Sequence, residues 1–266
     1  MLSNVHYAVN WCCLFGLAKL APGWVPTLED SARRTPLWRD ANFVAMAVLL
    51  GTVTPLNNMS LQLNPIGFYQ VAKLAVTPGV VVLERLLDGK TPSRGRAACL
   101  VAVCFFVVKM HGARDAAGDP VSAAGLAAVG LWVPLAAGYK VQFGRLRRHL
   151  GNCSTMGLMY ALFPYAIAVQ LLLSPLVDPP GVTSYAWTPR SLALVLASGL
   201  GAFLVNYSGF LVIGHLGGIA HVLLGQAKSA GTMLAAAVVF GTSYAAAELL
   251  CAAGAMASIC AYAALS

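Results

Sequence analysis

Nine apolar runs, near 4–20, 41–62, 66–87, 97–111, 121–142, 155–177, 191–214, 218–240 and 244–264, constrain this chain more than any motif in it. Most are as long as the roughly 17–25 residues a helix needs to cross the hydrocarbon core of a bilayer. The 97–111 run is short, and its helix is expected to extend into the flanking polar residues. Only 10% of the 266 residues are charged, against about a quarter in a typical soluble domain. So few charges cannot coat a globule that is 59% hydrophobic, and the solvent must be lipid. Lipid leaves no backbone group unpaired and no alternating barrel pattern is present, so the fold class predicted is all-α, a polytopic membrane helical bundle.

That solvent excludes a soluble enzyme, a disordered tail and a disulfide-rich secreted module. The net charge of +8 does not indicate nucleic acid, because its cations are spread through short loops instead of forming a stripe with interleaved aromatics. Seven cysteines sit almost entirely inside apolar stretches, without ligand spacing, and read as small core hydrophobes. No HExxH, nucleophile elbow or paired-carboxylate constellation is present, so no enzyme, metal or cofactor is expected. Asp88-Gly89-Lys90-Thr91 resembles the end of a phosphate loop, but Glu84 stands where its first glycine belongs.

The loop cations orient the chain. Arg33, Arg34, Arg39, Arg85, Lys90, Arg94, Arg96, Arg145, Arg147 and Arg148 fall on one set of alternating loops, while Lys109, Arg114 and Arg190 fall on the other. The positive-inside rule assigns the first set, and with it the C-terminus, to the cytoplasm. Nine spans then put Met1 on the far side, opening directly onto an apolar run, and the start is expected to be incomplete. The chain is predicted as one transmembrane domain over 1–266, an incomplete N-terminal repeat over 1–120 and a C-terminal repeat over 121–266. Each half carries an Ala-Lys pair at mid-depth, followed by Gly89 in one and Gly241 in the other, the weak internal symmetry of an inverted-repeat transporter.

Those two lysines are the chemistry. Lys228 lies about ten residues into its run, roughly 15 Å deep and beyond the reach of a lysine stem to the interface, and Lys73 is nearly as deep. An ammonium there costs about 2.5–3.5 kcal/mol on insertion scales, so each is expected to face a polar cavity on a substrate path. Glu84 and Glu248 are the acids in or bordering spans, and both lie nearer the ends than the middle. The alternative is a lysine satisfied within the bundle that binds nothing. A cavity with two lysines suits an anion, above all a phosphate, which lysine binds as a point charge. Tyr69, Gln70, His221 and Gln226 share the depth of these lysines. Tyr139, Tyr160, Tyr207, Asn57, Asn58, Asn206 and Ser208 are further polar groups in spans, for which helix packing and helix-to-helix hydrogen bonds are the competing account. Lys140 either snorkels to the cytoplasmic end of its helix or faces the same cavity. Ala227 and Gly231 are spaced for the close approach of a second helix.

The stretch Asn58-Met59-Ser60-Leu61-Gln62 through Ile66-Gly67-Phe68-Tyr69-Gln70-Val71-Ala72-Lys73 to Thr77-Pro78 resembles a segment of the triose-phosphate translocator and nucleotide-sugar transporter family, within the drug/metabolite transporter superfamily. Tyr139, Phe203-Leu204-Val205-Asn206-Tyr207-Ser208 and Gly225-Gln226-Ala227-Lys228-Ser229 are further similar positions, Gln226 replacing a histidine of the family pattern. The resemblance implies a ten-helix antiporter of two inverted five-helix repeats, with nine helices predicted here and the first missing, because His6-Tyr7-Ala8-Val9-Asn10-Trp11 resembles the second. It implies that Lys73 and Lys228 contact substrate phosphates, that Tyr69, Tyr139 and Asn206 touch sugar or base, and that Gln70, Gln226 and His221 supply hydrogen bonds. Plastid phosphate translocators usually carry Lys-Arg where this chain has Lys228-Ser229, which favours nucleotide sugar exchanged for nucleoside monophosphate. The expected location is the Golgi membrane, with the endoplasmic reticulum or plastid envelope as alternatives. A sugar-phosphate/phosphate exchanger and a non-transporting truncated product are the alternative functions. The expected partners are the lipid bilayer, the exchanged solutes and, compatibly, a second copy in a homodimer, with no nucleic acid.

Overall fold

The structure is a computed structural model that describes residues 2–25, 36–65, 68–69, 72–115, 122–178, 186–239 and 245–265. Among the described residues nine α-helices follow one another: α1 (Leu2–Leu20), α2 (Ala41–Leu63), α3 (Val76–Asp88), α4 (Arg94–Asp115), α5 (Ala123–His149), α6 (Thr155–Val177), α7 (Pro189–Leu216), α8 (Gly218–Val239) and α9 (Ala246–Ala264). The short 97–111 run does extend, by three residues before it and four after it, as α4. By length and composition α2, α5, α6, α7 and α9 can each cross a membrane. Leu172 and Leu176 on α6 are 79% and 80% exposed, a placement that only an apolar solvent makes favourable. The chain is thus an all-α, polytopic membrane protein.

One helix departs from expectation. The run near 66–87 is interrupted within its length: Phe68, Tyr69 and Ala72 are helical, a 3-10 turn follows over Lys73–Ala75, and α3 begins at Val76. Pro78 explains the break, since it has no N–H to offer the Leu74 carbonyl, and it is tolerated in the first turn of a helix, where such donors go unused. Pro55, Pro134, Pro164 and Pro175 lie inside α2, α5 and α6 without ending them. At its far end α3 closes on Gly89, and α7 passes to α8 through Gly217 alone. Both have left-handed φ values, 67° and 90°, that favour glycine.

The chain forms two compact units, each drawing on both halves of the sequence. The first comprises Met1–Met59 and Tyr139–Gly217. Its interior is built from large side chains, Leu14, Phe43, Met46, Phe143, Leu146, Leu158, Met159, Leu162, Phe163 and Ile213, with Phe143 and Phe210 ring centroids 4.6 Å apart. At one end Arg147 donates from Nε to the Cys153 carbonyl at 3.0 Å and from its guanidinium to the Gly214 carbonyl, tying the ends of α5 and α7 to the start of α6. His149 and Asp40 pair at 3.0 Å at that same end, the one to which the loop cations assign the cytoplasm.

The second unit comprises Ser60–Gly138 and Gly218–Ser266. Its packing relies on smaller residues: Ala128, Ala136, Ala137, Ala230, Ala252 and Ala255 are almost wholly buried. Here α4 packs along α9, with the Phe106 ring against Gly254, and α3 packs against α8. Asn64 joins α2 to α5, donating from Nδ2 to the carbonyls of Ser60 at 2.8 Å and Gly125 at 3.0 Å.

Two expectations about small residues are corrected. All seven cysteines are free, and none is fully buried: Cys12 and Cys260 are exposed and the rest half-buried. In lipid a small apolar side chain needs no protein cover, so burial is not what places it. Gly231 is not a close-packing site, because a Cβ built there meets no described atom within 4 Å. The tightest approaches fall at Gly51, Gly125 and Gly254.

Candidate functional site

Five of the eight expected site residues lie in the second unit: Tyr69, Lys73, His221, Gln226 and Lys228. Gln70 lies outside the described residues, and Tyr139 and Asn206 lie in the first unit.

Tyr69 is the fixed point of the second unit's group. Its N–H donates to the Pro65 carbonyl at 3.0 Å, and its side chain is 3% exposed. The ring packs on Trp132 of α5, centroids 5.8 Å apart with a 31° tilt. Four residues on, in the 3-10 turn, Lys73 holds Nζ 4.4 Å from the centre of the Tyr69 ring. A cation over an aromatic face gains about 0.5–2 kcal/mol, which offsets part of the cost of an ammonium in a membrane. Half-buried and in this turn, Lys73 presents a positioned positive charge without being sealed into the bundle.

The remaining three residues are on α8. His221 and Lys228 are seven residues apart, about two helical turns, and so share one face. Lys228 stands at the midpoint of the 22-residue helix and is exposed, while Gln226 points another way and is 6% exposed. Glu248 is also buried, and its Oε2 accepts the Ala245 N–H at 2.9 Å at the start of α9. No group of three His, Cys, Asp or Glu among the described residues is placed to hold a metal ion.

In the first unit Lys140 does not snorkel. It is 8% exposed, with Nζ 4.2 Å over the Tyr139 ring. Both units therefore hold a lysine against a tyrosine. The packing account holds for Tyr160, stacked on Trp11 at 5.9 Å, and for Tyr207, stacked on Phe203 at 6.3 Å. The helix-to-helix hydrogen-bonding account holds for Asn58, which donates to Ser3 Oγ at 2.9 Å, whereas Ser208 donates within its own helix to the Val205 carbonyl at 3.0 Å. Asn206 is half-buried on α7.

Sequence reasoning missed three residues. Trp132 has no signal in the sequence, since an aromatic in an apolar run is ordinary. Asn10 and Gln170 carried the same signal as Asn206, an amide in an apolar run. Both are almost fully buried in the first unit, and their amide atoms have no hydrogen-bond partner among the described residues.

The fold and these charges define a multi-pass membrane protein that carries lysines within its apolar runs. No family model matches the chain. It is 32% identical over 91% of its length to nucleotide-sugar uncharacterized transporter 2 of Arabidopsis thaliana, and 30% identical over 91% to nucleotide-sugar uncharacterized transporter 1 of the same plant. UDP-xylose transporter 1 of Arabidopsis thaliana is 29% identical over 86% of the chain. The chain spans 58%, 59% and 64% of the lengths of these three relatives. A crystal structure at 16% identity shares the fold, with a TM-score of 0.71 over 99% of this chain and 87% of that one. The curated relatives are named as transporters, and the chain is accordingly a homologue of nucleotide-sugar transporters, consistent with that family of the drug/metabolite transporter superfamily.

Proposed function

We propose that this protein exchanges a nucleotide sugar for a nucleoside monophosphate across the Golgi membrane, by alternating access within an inverted-repeat architecture of two sequence halves, 1–120 and 121–266. The observation that carries the reading is the similarity to named nucleotide-sugar transporters over nine-tenths of the chain. The geometry supports it: Lys73 and Lys228, in one compact unit, offer two cations to the two negative charges of a diphosphate. Lysine suits this role because it binds phosphate as a point charge and tolerates the shifting geometry of a moving ligand. Gln226, Gln70 and His221 are the hydrogen-bonding groups of this reading, and Tyr69, Tyr139 and Asn206 its sugar or base contacts. Relatives include a UDP-xylose transporter and a UDP-rhamnose/UDP-galactose transporter, so UDP-sugars are the first substrates to test.

The test is uptake of labelled UDP-xylose and UDP-galactose into proteoliposomes of the purified chain, preloaded with UMP, with inorganic phosphate or with buffer. Stimulation by UMP is expected. Stimulation by phosphate alone would replace the reading with a sugar-phosphate exchanger, and no uptake under any loading would identify a non-transporting product.

A further inference from the structure

We infer that Trp132 is a positioning residue for Lys73, acting through the ring of Tyr69. The inference rests on the proposed role of Lys73 as a phosphate contact and adds a residue that neither spacing nor similarity singles out.

Three side chains meet in the second unit. Trp132, 5% exposed on α5, packs against the Tyr69 ring at 5.8 Å with a 31° tilt, and the Lys73 ammonium lies over that same ring at 4.4 Å. Lys73 belongs to a 3-10 turn, so its stem does not stand on the regular surface of an α-helix. The orientation of its charge depends on the surface it rests on. That surface includes the Tyr69 ring, whose plane is held by the side chains packed on it. Trp132 is one of these, 63 positions away in sequence on α5.

A second observation marks the indole as placed for its faces. Its Nε1 is buried with no hydrogen-bond partner among the described residues, where a buried tryptophan usually finds one. The aromatic contact of this side chain is its tilted packing on Tyr69.

The test uses two readouts on the full chain. In membranes without substrate, Lys73 is labelled with a small amine-reactive imidoester and its modification rate read by mass spectrometry. Trp132→Leu should raise that rate several-fold and Trp132→Phe should leave it within about twofold of the parent, because phenylalanine still packs on the ring. Equal rates in all three proteins would overturn the positioning role whatever transport does. In proteoliposomes, Trp132→Leu should raise the half-saturating UDP-galactose concentration about three- to tenfold, the range expected from a lost cation–aromatic placement. In a Lys73→Gln background the same change should add almost nothing. An equal rise in both backgrounds, or a fall in maximal rate that merely tracks the amount of folded protein, would overturn it. If Lys73→Gln alone leaves uptake unchanged while labelling responds to Trp132→Leu, positioning stands and the phosphate role of Lys73 falls.

Discussion

Gly51 is where a single methyl group should do most damage to the first unit. A Cβ built on it stands 2.6 Å from the Cβ of Val169 and 2.8 Å from the Ala166 carbonyl oxygen. The first distance falls about 0.8 Å short of ordinary contact, and neither atom is the far end of a flexible side chain. Relief therefore requires α2 and α6 to move apart along a seam that also holds Phe43 and Tyr165, ring centroids 5.3 Å apart. Forcing a methyl into such a contact costs about 1–3 kcal/mol, and the backbone anchoring of both neighbours puts Gly51→Ala near the upper end. Gly201 on α7 is the control, because a Cβ there meets no described atom within 4 Å. Alanine at that site should stabilise by up to about 1 kcal/mol through helix propensity alone. Thermal unfolding of the detergent-solubilised protein reads the difference: at about 2–4 °C per kcal/mol, Gly51→Ala should melt roughly 5–10 °C lower and Gly201→Ala a few degrees higher. If Gly51→Ala melts with or above Gly201→Ala, the tight α2–α6 approach is not a feature of the folded protein.

Lys73→Gln and Lys228→Gln should each raise the half-saturating nucleotide-sugar concentration about tenfold or more, the scale of one lost hydrogen bond to a charged group, and unchanged uptake in both would remove the phosphate site. Arg147→Met should cost about 1.5–3 kcal/mol in the same melting assay by releasing the Cys153 and Gly214 carbonyls, and Arg147→Lys should not restore it, since an ammonium lacks the planar fork that reaches both. Gln170→Leu should melt at or above the parent, because it removes a buried amide with no partner among the described residues; a clear loss of stability would show that the amide is satisfied in the protein. His149→Ala should change stability by less than about 1 kcal/mol, as its pairing with Asp40 is exposed.

Much of the fold was legible because lipid simplifies the problem. A run of apolar residues in a bilayer has to pair its backbone internally, and in a chain without barrel alternation that means a helix, so composition alone determined the class and most helix positions. Where the reading slipped, a specific local competitor intervened. Pro78 interrupted the expected continuous helix over 66–87 with a 3-10 turn just before α3, and the cysteines spread over half-buried and exposed positions because lipid accepts them without protein cover.

The site divides in the same way. That Lys73 and Lys228 lie deep in apolar runs, and are costly there, follows from sequence and the dielectric of the bilayer. That Tyr69 and Lys73 meet was within reach of spacing, since residues four apart are neighbours on a helix-like turn. Only the tertiary structure decided that Trp132 packs on that tyrosine, that Lys140 is buried against Tyr139, and that Gly51 rather than Gly231 is the tight approach. The physical reason is that membrane depth is additive along a chain and can be counted from residues, whereas a contact between helices depends on which faces turn toward each other. In lipid nearly every face is apolar, so hydrophobic patterning cannot say which one that will be.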